Sequence, residues 1–295
     1  MTTGILIQLI MAGMTTGAVY GLIALGFITI YRASNILNLA QGEFVTIGAL
    51  SAVFFLNRGM PYLLAGALAT AATVMVGISM EFAVIRPLRK KPVLILIMVT
   101  IGISFFLQGA ANILFGSDPQ ALPPFTSHTP VLLFRAVRVS PQSLWVLGLA
   151  VLLVALLSTW SRYSYLGKAM EAVSTDRQGA ALVGINRNRI TQIAFGVSAA
   201  MGALAGIFIT PVYFAQYNAG TLLGLKGFAA AIIGGWGTYT GAMLGGLILG
   251  VLESVSVGFI PAGYKDAVAF GVLILILCVR PKGILGSRAL LEARK

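Results

Sequence analysis

Long apolar segments separated by short polar ones run through the whole chain. Their approximate positions are 5–30, 37–56, 62–85, 93–115, 142–161, 190–214, 226–258 and 265–279. Most are close to the length of about 20 residues at which a helix spans a bilayer. Since backbone polar groups in lipid must be satisfied within the segment, these segments are predicted to be helical. The pattern therefore predicts an all-α, polytopic membrane helix bundle of about eight transmembrane segments.

Composition narrows the class of protein further. Of the 295 residues, 58% are hydrophobic and only 9% are charged. So few charged residues cannot cover the surface of a water-soluble domain. A soluble enzyme, a nucleic-acid-binding protein and a disordered chain are therefore excluded, and membrane lipid is the expected surroundings. The first apolar segment is too long for the core of a signal peptide, so we expect it to be retained as a transmembrane helix.

The net charge of +12 is concentrated in three short basic segments, at 86–91, 162–189 and 280–295. Basic residues between membrane helices mark cytoplasmic loops. This rule predicts a cytoplasmic loop at 162–189 and an external loop at 116–141. We interpret residues 1–295 as one transmembrane domain. The side of the membrane on which the first helix begins stays open.

Two polar or glycine-rich breaks interrupt this pattern. The segment 226–258 has 33 residues, too many for one helix and too few for two ordinary spans. A discontinuous or re-entrant helix pair would fit, and broken backbone at membrane depth must be buried in protein or line a polar cavity. A similar break in the first half suggests an internal structural repeat. The substrate-pathway candidates at the two breaks are Asn38, Gln41, Gly42, Glu43, Gly234, Gly235, Trp236 and Gly237. The alternative is close helix packing around small residues, which the many glycine pairs at i, i+4 also favour.

Three charged residues lie within apolar surroundings. Glu43 and Glu253 would each face a cavity or partner, because an unpaired acid inside a membrane segment is costly. A structural hydrogen bond to a helix end is the alternative. Lys226 is interpreted as an interfacial residue whose ammonium group reaches the membrane surface. The single histidine and the lack of a Walker A pattern leave no catalytic set, no metal site and no ATP hydrolysis in this chain.

The second basic segment contains a helix with clear local signals. Thr175 is predicted as the N-cap and Gln178 as its capping-box partner. Gly184 is predicted to end the helix in the left-handed conformation, with Ile185 as the following hydrophobic contact. The sequence therefore predicts a short helix over 176–183 that docks on a partner, rather than a free surface helix. The candidate docking residues are Glu171, Ala172, Asp176, Ala180, Ala181, Gly184 and Ile185.

Five segments of the chain form a recognisable set. They are GLIALG at 21–26, NLAQGEF at 38–44, the loop at 167–186, FGVSAAMGALAG at 195–206 and RPKGILG at 280–286. Together they resemble the permeases of branched-chain amino acid ABC transporters. Their order and the chain length resemble the smaller of the two permeases of such systems. Two departures from the wider coupling motif of ABC importers are the early Glu171-Ala172-Val173 and Gly179 in place of an alanine.

The resemblance implies a bacterial inner-membrane importer subunit that works by alternating access. It implies a second homologous permease, two cytoplasmic ATP-binding subunits near 168–189 and a periplasmic solute-binding protein. ATP and Mg²⁺ would be bound by the ATPase subunits, with no cofactor in this chain. The solute would be a branched-chain amino acid, urea, a short amide or an aromatic carboxylate.

A standalone, proton-coupled secondary transporter is the alternative function. In such a protein Glu43 or Glu253 would bind the proton and no ATPase would be needed. This alternative leaves the capped cytoplasmic helix without a role. Collapse of the pH gradient at constant ATP would separate the two functions.

Overall fold

The computed structural model describes residues 3–126, 131–133, 137–281 and 283–285, and they are almost entirely helical. The helices are α1 Thr3–Ser34, α2 Gln41–Asn57, α3 Tyr62–Met80, α4 Arg86–Leu88, α5 Val93–Phe115, α6 Pro141–Tyr163, α7 Tyr165–Thr175, α8 Arg177–Leu182, α9 Arg187–Ile209, α10 Ala219–Gly234, α11 Tyr239–Ser256 and α12 Lys265–Val279. A π-helical turn, Glu81–Ile85, joins α3 to α4, and a 3₁₀ turn, Ala262–Tyr264, precedes α12. The short strands β1 Val131–Leu133 and β2 Val137–Val139 pair in antiparallel orientation in the predicted external loop.

The predicted polytopic helix bundle is confirmed, and the predicted count of about eight spans is approximate. Within the described residues, six helical segments are long and apolar enough to cross a membrane: α1, α3 to α4 through the π turn, α5, α6, α9 and α11. The helices α2, α10 and α12 have 17, 16 and 15 residues. Each is shorter than the roughly 20 residues of an ordinary span.

The described parts of the three basic segments lie at one end of the bundle. Arg32, in the last turn of α1, is 4.0 Å from the carboxylate of Glu171 on α7. Arg89 donates a hydrogen bond to Asn188 at the start of α9. The backbone of residues 284–285 is hydrogen-bonded to the end of α10. By the rule that basic residues mark the cytoplasmic side, we assign this end to the cytoplasm and the opposite end to the outside. On this assignment helix α1 begins on the external side, which the sequence pattern leaves open.

The break in the second half differs from the sequence prediction. Helix α10 starts at Ala219 rather than at Lys226, so the break separates two nearly complete helices. The chain turns at 235–238, where Gly235 ends α10 at φ +108°, a conformation that glycine adopts without strain. The ring of Trp236 packs edge-on against Tyr31 near the end of α1, with ring centroids 5.1 Å apart. The turn is thus at the cytoplasmic end of the bundle.

The break in the first half is a non-helical segment at 35–40, whose residues alternate between half-buried and buried. Helix α1 ends at Ser34, and Asn35 follows with φ +57°. The backbone N–H of Leu39 donates to the Thr100 hydroxyl of α5 at 3.2 Å, because a buried backbone group needs a partner. Helix α2 then begins at Gln41, so the predicted break extends only to residue 40.

Among the described helices, α1 and α11 share the most extensive contact. Glycines Gly13 and Gly17 on α1 face Gly246 and Gly250 on α11. A methyl group added to Gly13 would lie 2.7 Å from the carbonyl oxygen of Gly250, which is too close for a real contact. The glycine pairs therefore do mediate the predicted close packing. We call these four residues the glycine seam.

Candidate substrate pathway

A cavity of about 710 Å³ lies at the external end of the bundle. Its walls come from the first half of α1, the middle of α2, the last turn of α9, the 210–218 connection, the first half of α10 and the last turns of α11. The polar lining residues with a buried side chain include Tyr20, Thr46, Lys226 and Glu253, and most of the remaining wall is apolar. Such a cavity, mostly apolar with a few fixed polar groups, suits a small solute.

Lys226 is the centre of a buried ion network in the cavity wall. Its ammonium nitrogen lies 2.7 Å from Glu253 Oε1 on α11 and 2.6 Å from Asp266 Oδ1 on α12, and it donates to the Tyr20 hydroxyl at 3.2 Å. Tyr20 in turn donates to Glu253 Oε2 at 2.9 Å. Lys226 is only 2% exposed, so the interfacial interpretation of this lysine is wrong. Carboxylates on two other helices satisfy the charge within the protein, which removes the need to reach water.

Glu253 both lines the cavity and has a cationic partner. Its two carboxylate oxygens accept from Lys226 and Tyr20, so neither is left unpaired. Asp266 is partly exposed, with 37% of its side chain accessible. The network holds two carboxylates against one ammonium group. Sequence reasoning missed it because its members lie on four different helices, and the available signal was only that Lys226 and Glu253 interrupt apolar segments.

Glu43 lies in a second polar cluster, next to the cavity. Its Oε1 atom accepts hydrogen bonds from Ser104 at 2.8 Å, Thr221 at 2.9 Å and Gln108 at 3.3 Å. Its Oε2 atom has no hydrogen-bond partner among the described residues, although the side chain is 1% exposed. Ser104 lies about 16 Å along α5 from its cytoplasmic start, which places the cluster near the middle of the bundle.

The first turns of α2 and α10 meet at this cluster. A side chain on Gly42 would overlap the carbonyl group of Gly220, so the two backbones are in direct contact. Glu43 belongs to the first turn of α2, and Thr221 belongs to the first turn of α10. The first turns of both helices, where the helix dipoles have their positive ends, therefore meet at the Glu43 carboxyl group.

The other predicted pathway residues occupy two different places. Asn38 is buried, and its Oδ1 atom accepts from the backbone of Ala40. Gln41 connects α2 to α9: its amide donates to the Ser198 carbonyl at 3.1 Å and accepts from the Ser198 hydroxyl at 2.6 Å. The remaining four, at 234–237, are the last residue of α10 and the first three of the cytoplasmic turn, and they do not line the cavity. The assignment of these eight residues to a pathway stays a prediction.

The short cytoplasmic helix is present as α8, with a different N-cap. Asp176 is the cap, because its Oδ1 atom accepts from the backbone N–H of Gln178 at 2.9 Å. The Thr175 hydroxyl instead donates back to the Glu171 carbonyl, since α7 continues through Thr175. The helix therefore covers Arg177–Leu182 rather than 176–183.

The predicted end of α8 is confirmed. Gly184 has φ +83°, and its N–H donates to the Ala181 carbonyl at 3.1 Å. The N–H of Ile185 donates to the Ala180 carbonyl at 3.0 Å. These two bonds are those of a Schellman motif. Local signals within a few residues were sufficient to predict it.

The exposed surface of the cytoplasmic segment includes two residues that sequence reasoning missed. Leu182 and Val183 are 89% and 76% exposed, whereas Ala180 is buried within the chain. Ile185 packs against the core between α1, α7 and α9. Of the other docking candidates, Ala172 is half-buried, and Ala181 and Asp176 are exposed. The assignment of docking residues stays a prediction.

A helical bundle with an external cavity and a capped helix at its basic end defines a membrane permease of the multi-pass type. Residues 9–277 match the family described as "Branched-chain amino acid transport system / permease component". The chain belongs to this family, and it is a multi-pass inner-membrane protein. The family is one of transport components rather than of enzymes.

Individual relatives match along most of the chain. The high-affinity branched-chain amino acid transport system permease protein LivH of Escherichia coli (strain K12) is 35% identical over 295 residues, covering 95% of each chain. The protein BraD of Pseudomonas aeruginosa, with the same description, is 34% identical over 293 residues and 95% of each chain. The autoinducer 2 import system permease protein LsrC of Yersinia enterocolitica is 28% identical over 87% of this chain and 70% of its own. No solved structure matches the chain.

Proposed function

We propose that this chain is the transmembrane subunit of a binding-protein-dependent ABC importer that moves branched-chain amino acids into the cytoplasm. The observation that carries the proposal is the similarity to LivH and BraD along 95% of the chain. The cavity is consistent with it, because a mostly apolar wall with a few charged groups suits an aliphatic amino acid. Residues 1–295 act as one permease domain.

The chain works with three kinds of partner. A second homologous permease completes the pathway, two cytoplasmic subunits bind and hydrolyse ATP with Mg²⁺, and a periplasmic protein delivers the solute. The chain itself carries no cofactor and no catalytic residue. The exposed Leu182 and Val183 support an ATPase contact at α8, because exposed apolar side chains on a capped polar loop suit a protein interface.

A displacement of α8 would be transmitted to the membrane helices through Ile185. This side chain packs on a core that includes Ala33 of α1, Met170 of α7 and Ile190 of α9. Closure of the ATPase subunits would displace α8 and, through this core, α1 and α9. Because both helices contribute walls of the cavity, their displacement alternates access between the external and cytoplasmic sides.

Uptake by reconstituted complexes tests the proposal. Proteoliposomes that contain this chain with its co-purifying partners would receive labelled leucine, urea or an aromatic acid, with and without ATP and binding protein. We expect uptake of leucine that requires both. The proposal would be refuted if this chain, without its partners, took up solute independently of ATP and stopped when the pH gradient was collapsed. That result would favour a proton-coupled secondary transporter.

A further inference from the structure

Two neighbouring oxygens beside the external cavity have no hydrogen-bond partner among the described residues. They are the hydroxyl of Thr46, which lines the cavity, and Oε2 of Glu43. Both side chains are buried, at 4% and 1% exposure. Thr46 follows Glu43 by nearly one helical turn, so the two side chains share a face of α2.

The two oxygens border the same point of α10. A methyl group added to Gly220 would lie 2.5 Å from Glu43 Oε2 and 2.7 Å from Thr46 Oγ1. No other side chain of the described residues pairs with either atom. A carboxylate oxygen can only accept hydrogen bonds, and a threonine oxygen can accept as well as donate. A ligand that satisfies both atoms therefore needs one N–H or O–H donor for Glu43 Oε2, and either a second donor or an acceptor for the Thr46 hydroxyl. An ammonium group supplies both donors.

The absence of a basic partner for Glu43 among the described residues favours a cationic donor. The ammonium group of Lys226 is already surrounded by Glu253, Asp266 and Tyr20. No ion pair joins Glu43 to a basic residue in the part of the chain that the structure describes. An unpaired carboxylate within the membrane attracts a cation strongly, because the surrounding dielectric constant is low.

The apolar wall limits the rest of the ligand. Leu222 and Leu223 of α10, two and three residues after Gly220, line the cavity together with Val45 and Ala49 of α2. These side chains flank Thr46 along both helices. An ammonium group attached to a short aliphatic chain matches this arrangement of one polar point and an apolar wall.

We propose that the Thr46 hydroxyl and Glu43 Oε2 bind the ammonium group of the transported amino acid at the inner wall of the external cavity. The aliphatic side chain of the amino acid lies against Leu222 and Leu223. The inference rests on the proposed import function and adds to it a site and a requirement for an amino group. Urea and carboxylates without an amino group lack the cation that this site binds.

Direct binding to the purified complex, without the solute-binding protein, tests the site apart from delivery. The binding of labelled leucine would be measured in the presence of one of two competitors. The first, 3-methylbutan-1-amine, keeps the ammonium group, and the second, 4-methyl-2-oxopentanoate, lacks it. We expect the amine to compete and the oxo acid to compete at least tenfold less well. Replacing Na⁺ with choline should leave leucine binding unchanged, because the bound cation is the ligand's own ammonium group.

Three variants separate this site from general effects on the fold. Thr46→Val and Glu43→Gln each remove one acceptor, and each should weaken leucine binding by roughly tenfold, as expected for a hydrogen bond to a charged group. Thr73→Val is the matched control. The Thr73 hydroxyl donates to the Ala69 carbonyl within α3 at 2.8 Å and is remote from the cavity lining, so this variant should bind leucine normally.

Four results would overturn the inference. They are equal competition by the oxo acid and the amine, wild-type affinity in both site variants, a requirement for Na⁺, and no saturable leucine binding by the wild-type complex. Size-exclusion chromatography reports assembly, and Thr46→Val alone decides the matter if Glu43→Gln does not assemble. Failure of the wild-type complex to import any amino acid would refute the proposed function itself. Normal wild-type import with unaffected variants would refute only this site.

Discussion

The Lys226→Met substitution should strongly destabilise the permease. Methionine keeps an unbranched side chain of similar length but removes the ammonium group. Glu253 Oε1 and Asp266 Oδ1, at 2.7 and 2.6 Å from the Lys226 nitrogen, would then lose their cation. The Tyr20 hydroxyl would remain as the only donor to Glu253 within this network.

The magnitude follows from the burial of each partner. The Glu253 side chain is 7% exposed, and leaving one member of such a buried pair without its partner costs about 3–5 kcal/mol. The Asp266 side chain is 37% exposed, so solvent screens it and its loss adds on the order of 1 kcal/mol or less. The double substitution Lys226→Met with Glu253→Met removes both buried charges. It should be at least about 2 kcal/mol less destabilising than the sum of the single substitutions.

Unfolding of the purified complex in detergent, followed by tryptophan fluorescence, measures these differences. Lys265→Met is the matched control, because Lys265 also borders the cavity but is exposed. Its effect should stay within about 0.5 kcal/mol. If Lys226→Met were no more destabilising than Lys265→Met, or if the double variant showed simple additivity, the network would not be the stabilising element described above.

Three further substitutions test other parts of the structure. Gly184→Val should raise the ratio of ATP hydrolysed to leucine imported, because a β-branched residue does not readily adopt the φ of +83° found at Gly184. The control is Gly59→Val, at φ +81° outside the cytoplasmic segment, which should leave that ratio unchanged. Gly42→Val should greatly reduce recovery of the complex on size exclusion, since its side chain would overlap the backbone of α10, and a normal yield would contradict that contact. Gln41→Leu should lower the stability by about 1–3 kcal/mol, because buried groups on α9 lose their partner; an unchanged unfolding midpoint would rule this out.

Sequence reasoning succeeded where the determining signals are local. The apolar segments predicted the helix bundle, and the glycine at 184 predicted the end of α8 within one residue. The N-cap was displaced from Thr175 to Asp176 because α7 extends further than its own sequence signals indicate. The exact boundary between two adjacent helices depends on how both pack in the folded protein. Capping rules that consider only a few neighbouring residues do not include this packing.

The starts of α2 and α10 could not be predicted in this way. Neither helix has a side-chain cap, since Ala40 and Asn218 make no capping hydrogen bond. The first turns of α10 contain Gly220 and Gly224, which are poor helix formers. Contact between these glycines and Gly42 compensates, and this contact joins parts of the chain that are far apart in sequence. The partners of Lys226 could not be predicted for the same reason, because they are also far from it in sequence.

The glycine seam has a consequence for how variation can accumulate in this protein. Where side chains meet, a neighbour can change its rotamer to admit a larger group. Across the seam, backbone atoms of α1 and α11 are in contact, so even one added methyl group forces the two helices apart. In a saturation mutagenesis library selected for uptake, Gly13, Gly17, Gly246 and Gly250 should tolerate almost no replacement. Positions such as Leu63 and Ile113, on the exposed apolar faces of α3 and α5, should accept nearly any hydrophobic residue.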